Sequence, residues 1–400
     1  MRKISADYVF PVSSAPIPNG VITIDDDGTI LGVTNDKAII DREEVEVYKG
    51  IICPGFINTH CHLELSHMRS QIPENKGMTG FIKEIISKRD LFSEEEIQQA
   101  IVDAEKEMMR NGIVAVGDIS NNNSTFQQKA KGNIYYHTFI EVFDLNPERA
   151  TEVFENALSL QQQLWTLDFN PDSYRGSNSI IPHAPYSVSD KLFQMVYDAA
   201  IKNNSILSIH NQESEGEHEL FVSKAGVMLQ AFSQMGITMD FIKKTGVSSL
   251  QSTFAKLVVS QKKLLVHNTY TSKEDMEFVT KNSKPETVYW CTCPNANIYI
   301  EGKLPDYKLF IDADALVTVG TDSLASNWSL SVLDELKTIV KHHPSIPLQT
   351  LLLWATKNGA DFLGLTTAGT LDKGKKPGIN LLQNTNGLTI SGSTSVKRLI

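Results

Sequence analysis

A chain of 400 residues exceeds one ordinary domain and suits one large barrel with a small satellite, because single cores stop growing beyond a few hundred residues. With 41% hydrophobic and 21% charged residues it is neither disordered nor fibrous. A formal net charge of -10 argues against a nucleic-acid backbone or an anionic membrane surface as partner, which leaves a small molecule as the expected one.

No stretch reaches the roughly eighteen consecutive apolar residues of a membrane span, and the N-terminal run MRKISADYVFPVSSAPIPNG has no apolar signal core, so a cytoplasmic protein is expected. Cys53, Cys61, Cys291 and Cys293 are expected to be reduced thiols: the last two are one residue apart, a poor spacing for a disulfide or a zinc knuckle.

In chain order, the first fifty residues alternate apolar and polar, and VITIDDDGTILGVT places Asp-Gly between two β-rich runs, the pattern of a hairpin. From Ile51 short apolar runs alternate with helical stretches, which implies βαβ units and a parallel sheet. Eight candidate strands end near His62, Asp118, Glu141, His183, His210, His267, Cys293 and Asp322. Nearly every one finishes in a polar or ionisable residue, as the strands of a (β/α)8 TIM-type barrel do where they deliver catalytic groups to one face. After a helix ending near Ala360 to Leu365, GTLDKGKKPGINLLQNTN returns to Gly-rich β character. The expected architecture is therefore α/β, with a barrel over 54–365 and a composite β-sandwich built from 1–53 and 366–400.

His60 and His62 lie two apart on an extended run, so both imidazoles reach the same side and can hold one ion. Such a pair arises often by chance, but His210, His267 and Asp322 recur at matching strand ends. Three histidines, a carboxylate and an open position suit one divalent ion, Zn2+ first and Fe2+ second, which would lower the pKa of a water towards neutrality. Glu213, in HNQE, is placed to exchange protons with a substrate nitrogen, whereas Glu215, Glu217 and Glu219 read as surface charge. Glu64 would share the inward side of its strand and could hold a ribose hydroxyl; Asn297 and Trp328 read as a turn amide and a packed aromatic.

The motifs PGFINTHCHLELS, IPHAPYSVS, HNQE, VHN, CPNANIYI and GTDSLASN, in this order and across nearly the whole chain, resemble the deaminase and chlorohydrolase branch of the amidohydrolase superfamily. HLELSH and GTDSLASN look most similar to aminofutalosine deaminases, which act on an adenine nucleoside in menaquinone biosynthesis. The resemblance implies metal ligation by His60, His62, His210 and Asp322, proton transfer by Glu213 and Asp322, and His267 polarising the attacking hydroxide. It also implies that His183 contacts substrate. The family commonly has Gly-x-Asp-Ala-Asp before its final strand where this chain has GKKPGINLL, and no strand here ends in a lysine that could bridge two ions. The expected activity is hydrolytic deamination of an adenine nucleoside (aminofutalosine, S-adenosylhomocysteine, methylthioadenosine or adenosine), with release of ammonia; the expected partner is the small-molecule substrate, not nucleic acid or membrane, and a homo-oligomer is left open. Chlorohydrolysis, cyclic-amide hydrolysis and a non-catalytic binding role are the alternatives.

Overall fold

The computed structural model describes residues 1–35, 44–168, 176–257 and 260–400. The N-terminal strands are β1 (Arg2–Val9), β2 (Ile17–Pro18), β3 (Val21–Ile24), β4 (Ile30–Thr34) and β5 (Glu46–Pro54). The Asp-Gly hairpin forms: β3 pairs antiparallel with β4, and the turn closes through Asp25 N donating to Thr29 O at 2.8 Å and Gly28 N donating to Asp25 O at 3.0 Å. β1 pairs with β3 on one edge and, in parallel, with β5 on the other.

At Gly55 the chain leaves this sheet. A Cβ there would stand 2.4 Å from Val114 Cγ1 and 2.7 Å from the Pro377 carbonyl oxygen, so only glycine allows the two sheets to approach this closely. Among the described residues, eight parallel strands follow in two sheets of four. The first holds β6 (Phe56–Cys61), β7 (Ile113–Ser120), β8 (Tyr135–Val142) and β9 (Ser177–Pro182); the second holds β10 (Leu207–Asn211), β11 (Lys263–His267), β12 (Val288–Thr292) and β13 (Leu316–Val319). Their side chains are almost entirely buried, as strands covered on both faces must be, and helices such as Glu94–Arg110, Ala150–Trp165 and Asp190–Asn203 connect them. Ser93 starts the first of these with a full capping box to Glu96. The observed strand ends fall within three residues of the expected ones.

Backbone hydrogen bonds tie the two sheets together at both edges. His210 N donates to His183 O at 2.9 Å, and Asp322 N donates to His60 O at 3.1 Å. This is an α/β fold with parallel sheets, consistent with a TIM-type arrangement, and both ties lie at the strand ends that carry the candidate site.

The chain then returns through β14 (Ile379–Gln383) and β15 (Ser395–Arg398). β14 pairs antiparallel with β5, Leu381 opposite Ile52, so both termini share one sheet. The seven terminal strands are hydrogen-bonded into a single sheet, where a sandwich of two sheets was expected. The reason is that β1 and β5 are neighbours, which places the N-terminal hairpin and the C-terminal strands on one continuous ladder. Ile4, Ile22, Ile24, Ile30, Ile52, Leu371, Ile379 and Leu381 form its own apolar cluster. Among the described residues no helix is long and apolar enough to cross a membrane.

Because Leu381 joins segments from both ends of the chain within that cluster, Leu381→Ala is expected to cost about 2–5 kcal/mol, read as a lower urea midpoint.

Candidate metal centre and active site

The turn after β6, the strand ends β10 and β11 and the loop after β13 deliver their polar side chains to one buried point. His60 and His62 alternate along β6 and its continuation so that their Nε2 atoms lie 3.2 Å apart. His62 Nε2 is 3.3 Å from His210 Nε2 and 3.4 Å from Asp322 Oδ1; His60 Nε2 is 3.5 Å from the same oxygen. The structure thus brings together all four residues expected to ligate the ion.

Protonation decides what these atoms can do. His210 Nδ1 faces the His183 carbonyl oxygen at 2.9 Å, so Nδ1 carries the proton and Nε2 presents a lone pair. Burial pushes His62 down to about 3 and His210 well below the usual histidine range, so both are neutral at physiological pH. Burial acts to raise Asp322, yet its bond to His60 and the nearby His62 and His267 rings hold it well below the usual carboxylate range. The set is three imidazoles, those of His62 and His210 neutral, and one carboxylate. Tetrahedral Zn–ligand bonds of 2.0–2.1 Å would separate ligand atoms by roughly 3.3–3.4 Å; the observed spacings of 3.2–3.5 Å fit a divalent cation of that size.

Four positions around this cluster adopt left-handed backbone conformations without being glycine: Gln212 (φ 47°), His267 (φ 73°), Asn268 (φ 57°) and Asp322 (φ 56°). Strain of this kind collects where side chains must be aimed against local preference. His267 is held by Asn297, whose Oδ1 accepts from Nδ1 at 2.9 Å, leaving Nε2 buried without a hydrogen-bond partner and 3.4 Å from Glu213 Oε1. Asp322 is held from outside by the Ser326 hydroxyl on its Oδ2. At Gly320 a Cβ would meet His60 Cβ and Cys291 Sγ, each at 2.8 Å, so the last strand passes His60 closely only because that residue is glycine.

Glu213 is buried, and burial, reinforced by the charges of Asp322, Glu217 and Glu301, raises it well above the ordinary carboxyl range; beside it lies His267, which burial lowers to about 4. Glu217, expected on the surface, is fully buried: its carboxylate accepts from the backbone N–H of Gln212 and of Glu213, both at 3.1 Å, and so shapes the turn that presents Glu213. The spacing of Ser214 and Glu217 marks a helix start, which the Ser214 cap confirms, but sequence does not show that Glu217 turns inward. Glu215 is exposed, as expected, and Glu219 partly so.

His183 is half-buried, with its ring 4.7 Å from that of His210 and Nδ1 2.7 Å from Ser187 Oγ. Glu64 is buried in the turn after β6, where its Oε2 accepts from Asn121 N at 3.0 Å; burial pushes it up to about 8. Asn297, expected to be a turn amide, is instead the partner that orients His267. Trp328 is half exposed, packs on Tyr299 and donates to Glu74 at 2.8 Å, away from the cluster. All four cysteines are free and buried.

Residues 51–396 match the model of the amidohydrolase family, and the chain belongs to that family. With it goes membership of the hydrolases that act on carbon–nitrogen bonds other than peptide bonds. Among curated relatives, the adenosine deaminase of Helicobacter pylori is 27% identical over 343 residues, covering 83% of this chain and 78% of the relative. The aminodeoxyfutalosine deaminase of Nitratiruptor sp. is 25% identical over 360 residues, covering 88% of this chain and 83% of the relative. The crystal structure of Helicobacter pylori aminofutalosine deaminase in complex with methylthio-coformycin superimposes with a TM-score of 0.79 at 22% identity, covering 97% of this chain and 94% of that one. The zinc complex of atrazine chlorohydrolase from Arthrobacter aurescens shares the fold with a TM-score of 0.72 at 18% identity, covering 99% and 92%.

The raised carboxyl of Glu64 makes a pH test possible. Its folded pKa of about 8 exceeds its ordinary 4.5, so its contribution favours the folded state below pH 4.5 and is lost as pH rises towards 8. Glu64→Gln is expected to gain stability relative to wild type across that window, by at most a few kcal/mol, in thermal melts of metal-free protein at successive pH values.

Proposed function

We propose that this protein is a hydrolytic deaminase of an adenine nucleoside that works with one divalent ion, Zn2+ before Fe2+. The observation that carries the proposal is the convergence of His60, His62, His210 and Asp322 with the Glu213–His267 pair set directly beside them. The deaminase names of the curated relatives point the same way. The proposed units are a (β/α)8 barrel over 54–365 and a satellite from 1–53 and 366–400, in a cytoplasmic enzyme whose thiols stay reduced.

His60, His62, His210 and Asp322 would hold the ion, which supplies Lewis acidity and lowers the pKa of a water so that a nucleophile is available near neutrality. Glu213, whose hold on a proton burial strengthens, donates to the purine ring nitrogen next to the amino-bearing carbon, so that charge does not build up on the ring during attack. His267, fixed by Asn297 with Nε2 facing inwards, orients the water through that lone pair. Asp322 takes the proton that the water gives up and passes it to the departing amine, which leaves as ammonia, while the proton on the new hydroxyl goes back to Glu213 as the carbonyl forms. Ser326 keeps the second oxygen of Asp322 engaged, so one oxygen alone faces the site. Holding these groups before substrate arrives removes much of the entropic part of the barrier.

Glu213→Gln is expected to lower kcat by about 10²- to 10⁴-fold while metal per chain, measured by elemental analysis, stays at the wild-type level; a variant that loses its metal would contradict the role given to Glu213. Asp322→Asn should lose both metal and activity. Ammonia release from zinc- and iron-loaded protein on adenosine, S-adenosylhomocysteine, 5′-methylthioadenosine, aminofutalosine, guanine and a chlorotriazine tests the substrate class. Turnover of one adenine nucleoside above the rest supports the proposal, and chloride release from the triazine alone would replace it with chlorohydrolysis.

A further inference from the structure

Two groups in the proposed chemistry act on the attacking water, His267 and Asp322, and both are aimed from left-handed backbone. The contacts that aim them converge on one side chain. Glu335, in the helix Val332–His342, is fully buried, and each of its carboxyl oxygens has its own partner. Oε1 accepts from Asn327 Nδ2 at 2.7 Å, and Oε2 accepts from Asn295 N at 2.8 Å. Asn295 Nδ2 donates to Asn327 Oδ1 at 3.3 Å and closes the triangle.

The first arm ends on Asp322. Asn327 Nδ2 gives its other hydrogen to Thr321 O at 2.7 Å. That carbonyl belongs to the same peptide unit as Asp322 N, which donates to His60 O at 3.1 Å. A peptide unit is planar, so holding its oxygen and its N–H sets the plane from which the φ of Asp322, 56°, is turned. The second arm ends on His267. Asn295 lies in the first turn of the helix Pro294–Glu301, where an N–H has no partner within the helix, and Glu335 accepts it. Two residues on, Asn297 Oδ1 accepts from His267 Nδ1 at 2.9 Å, and Asn297 Nδ2 donates to His267 O at 3.4 Å. One carboxyl thus braces the loop after β13 and the helix after β12 against each other.

We propose that Glu335 is a positioning residue for the reaction: through Asn327 and Asn295 it holds Asp322 and His267 in the one relative geometry that serves the water. The inference rests on the deaminase function proposed above.

A glutamine in place of Glu335 offers one acceptor oxygen where two are used. Its NH2 must face either Asn295 N–H or Asn327 Nδ2, donor against donor, so one arm is released. The test compares zinc-loaded wild type and Glu335→Gln for kcat and KM on the adenine nucleoside of the panel that wild type turns over fastest. Metal per chain, the melting midpoint and the visible absorption bands of cobalt-loaded protein are measured beside them. In Glu335→Gln, kcat per bound metal should fall about 10- to 100-fold with KM within about twofold of wild type. Metal per chain should stay unchanged and the cobalt bands should shift. Asn327→Ala, which removes only the arm to Thr321, should show a smaller fall of the same kind. The double variant should lose little more than Glu335→Gln, because both residues act through one chain of contacts. If Glu335→Gln fails to fold, Asn327→Ala carries the comparison. A lower melting midpoint with kcat per bound metal and cobalt bands unchanged overturns the inference and leaves Glu335 a purely structural group. Loss of metal, or a raised KM with kcat unchanged, overturns it as well. Metal-replete wild type inert to every nucleoside overturns the deaminase function instead, and the cobalt bands then decide the positioning role by themselves.

Discussion

The constraint on which the rest of the structure depends is electrostatic: His62 Nε2 stands 3.2–3.4 Å from His60 Nε2, His210 Nε2 and Asp322 Oδ1 in a site almost closed to water. Lone pairs at that distance repel unless something positive lies between them, and burial keeps His62 and His210 from becoming positive themselves. Such a cluster persists only where the scaffold over-determines it. The ties between the two parallel sheets run through its own residues: His210 N to His183 O on one side, Asp322 N to His60 O on the other. Closure of the fold and assembly of the site are one set of hydrogen bonds.

Around that core, each group given a role in the proposed chemistry has a residue that fixes it. Asn297 sets the ring of His267, Ser326 engages the outer oxygen of Asp322, and Glu217 gathers the N–H groups of the turn bearing Glu213. Left-handed backbone at Gln212, His267, Asn268 and Asp322 shows what these contacts hold in place. Gly320 contributes by what it lacks, since any side chain there would press on His60. The terminal sheet, with its own apolar cluster, is joined to the parallel strands at Gly55 and lies outside the site.

The local patterns were sufficient for a good deal. Apolar runs ending in His, Asp or Glu located the eight parallel strands, because strand burial and strand-end polarity are written in short segments that sequence displays directly. The spacing of His60 and His62, and the recurrence of His210, His267 and Asp322 at later strand ends, identified the cluster for the same reason: a strand end is a local feature, and a barrel sends all of its strand ends to one face.

Tertiary structure alone decided which acids turn inwards and what supports each group. Glu217 and Glu215 sit in one acidic run, yet one is fully buried and the other exposed, because only Glu217 lies within reach of the backbone N–H groups of Gln212 and Glu213. Asn297 meets His267 from a helix thirty residues on, and Asn121 draws together acids from β8 and from the turn after β6. The same holds for the terminal strands, where pairing of β1 with β5 made one sheet of seven strands, because ladder partners far apart in sequence leave no local signature. Sequence by itself determined which residue types finish each strand; long-range packing determined which of them meet, at what distance and in what protonation state, since those depend on burial and partners that no short segment contains.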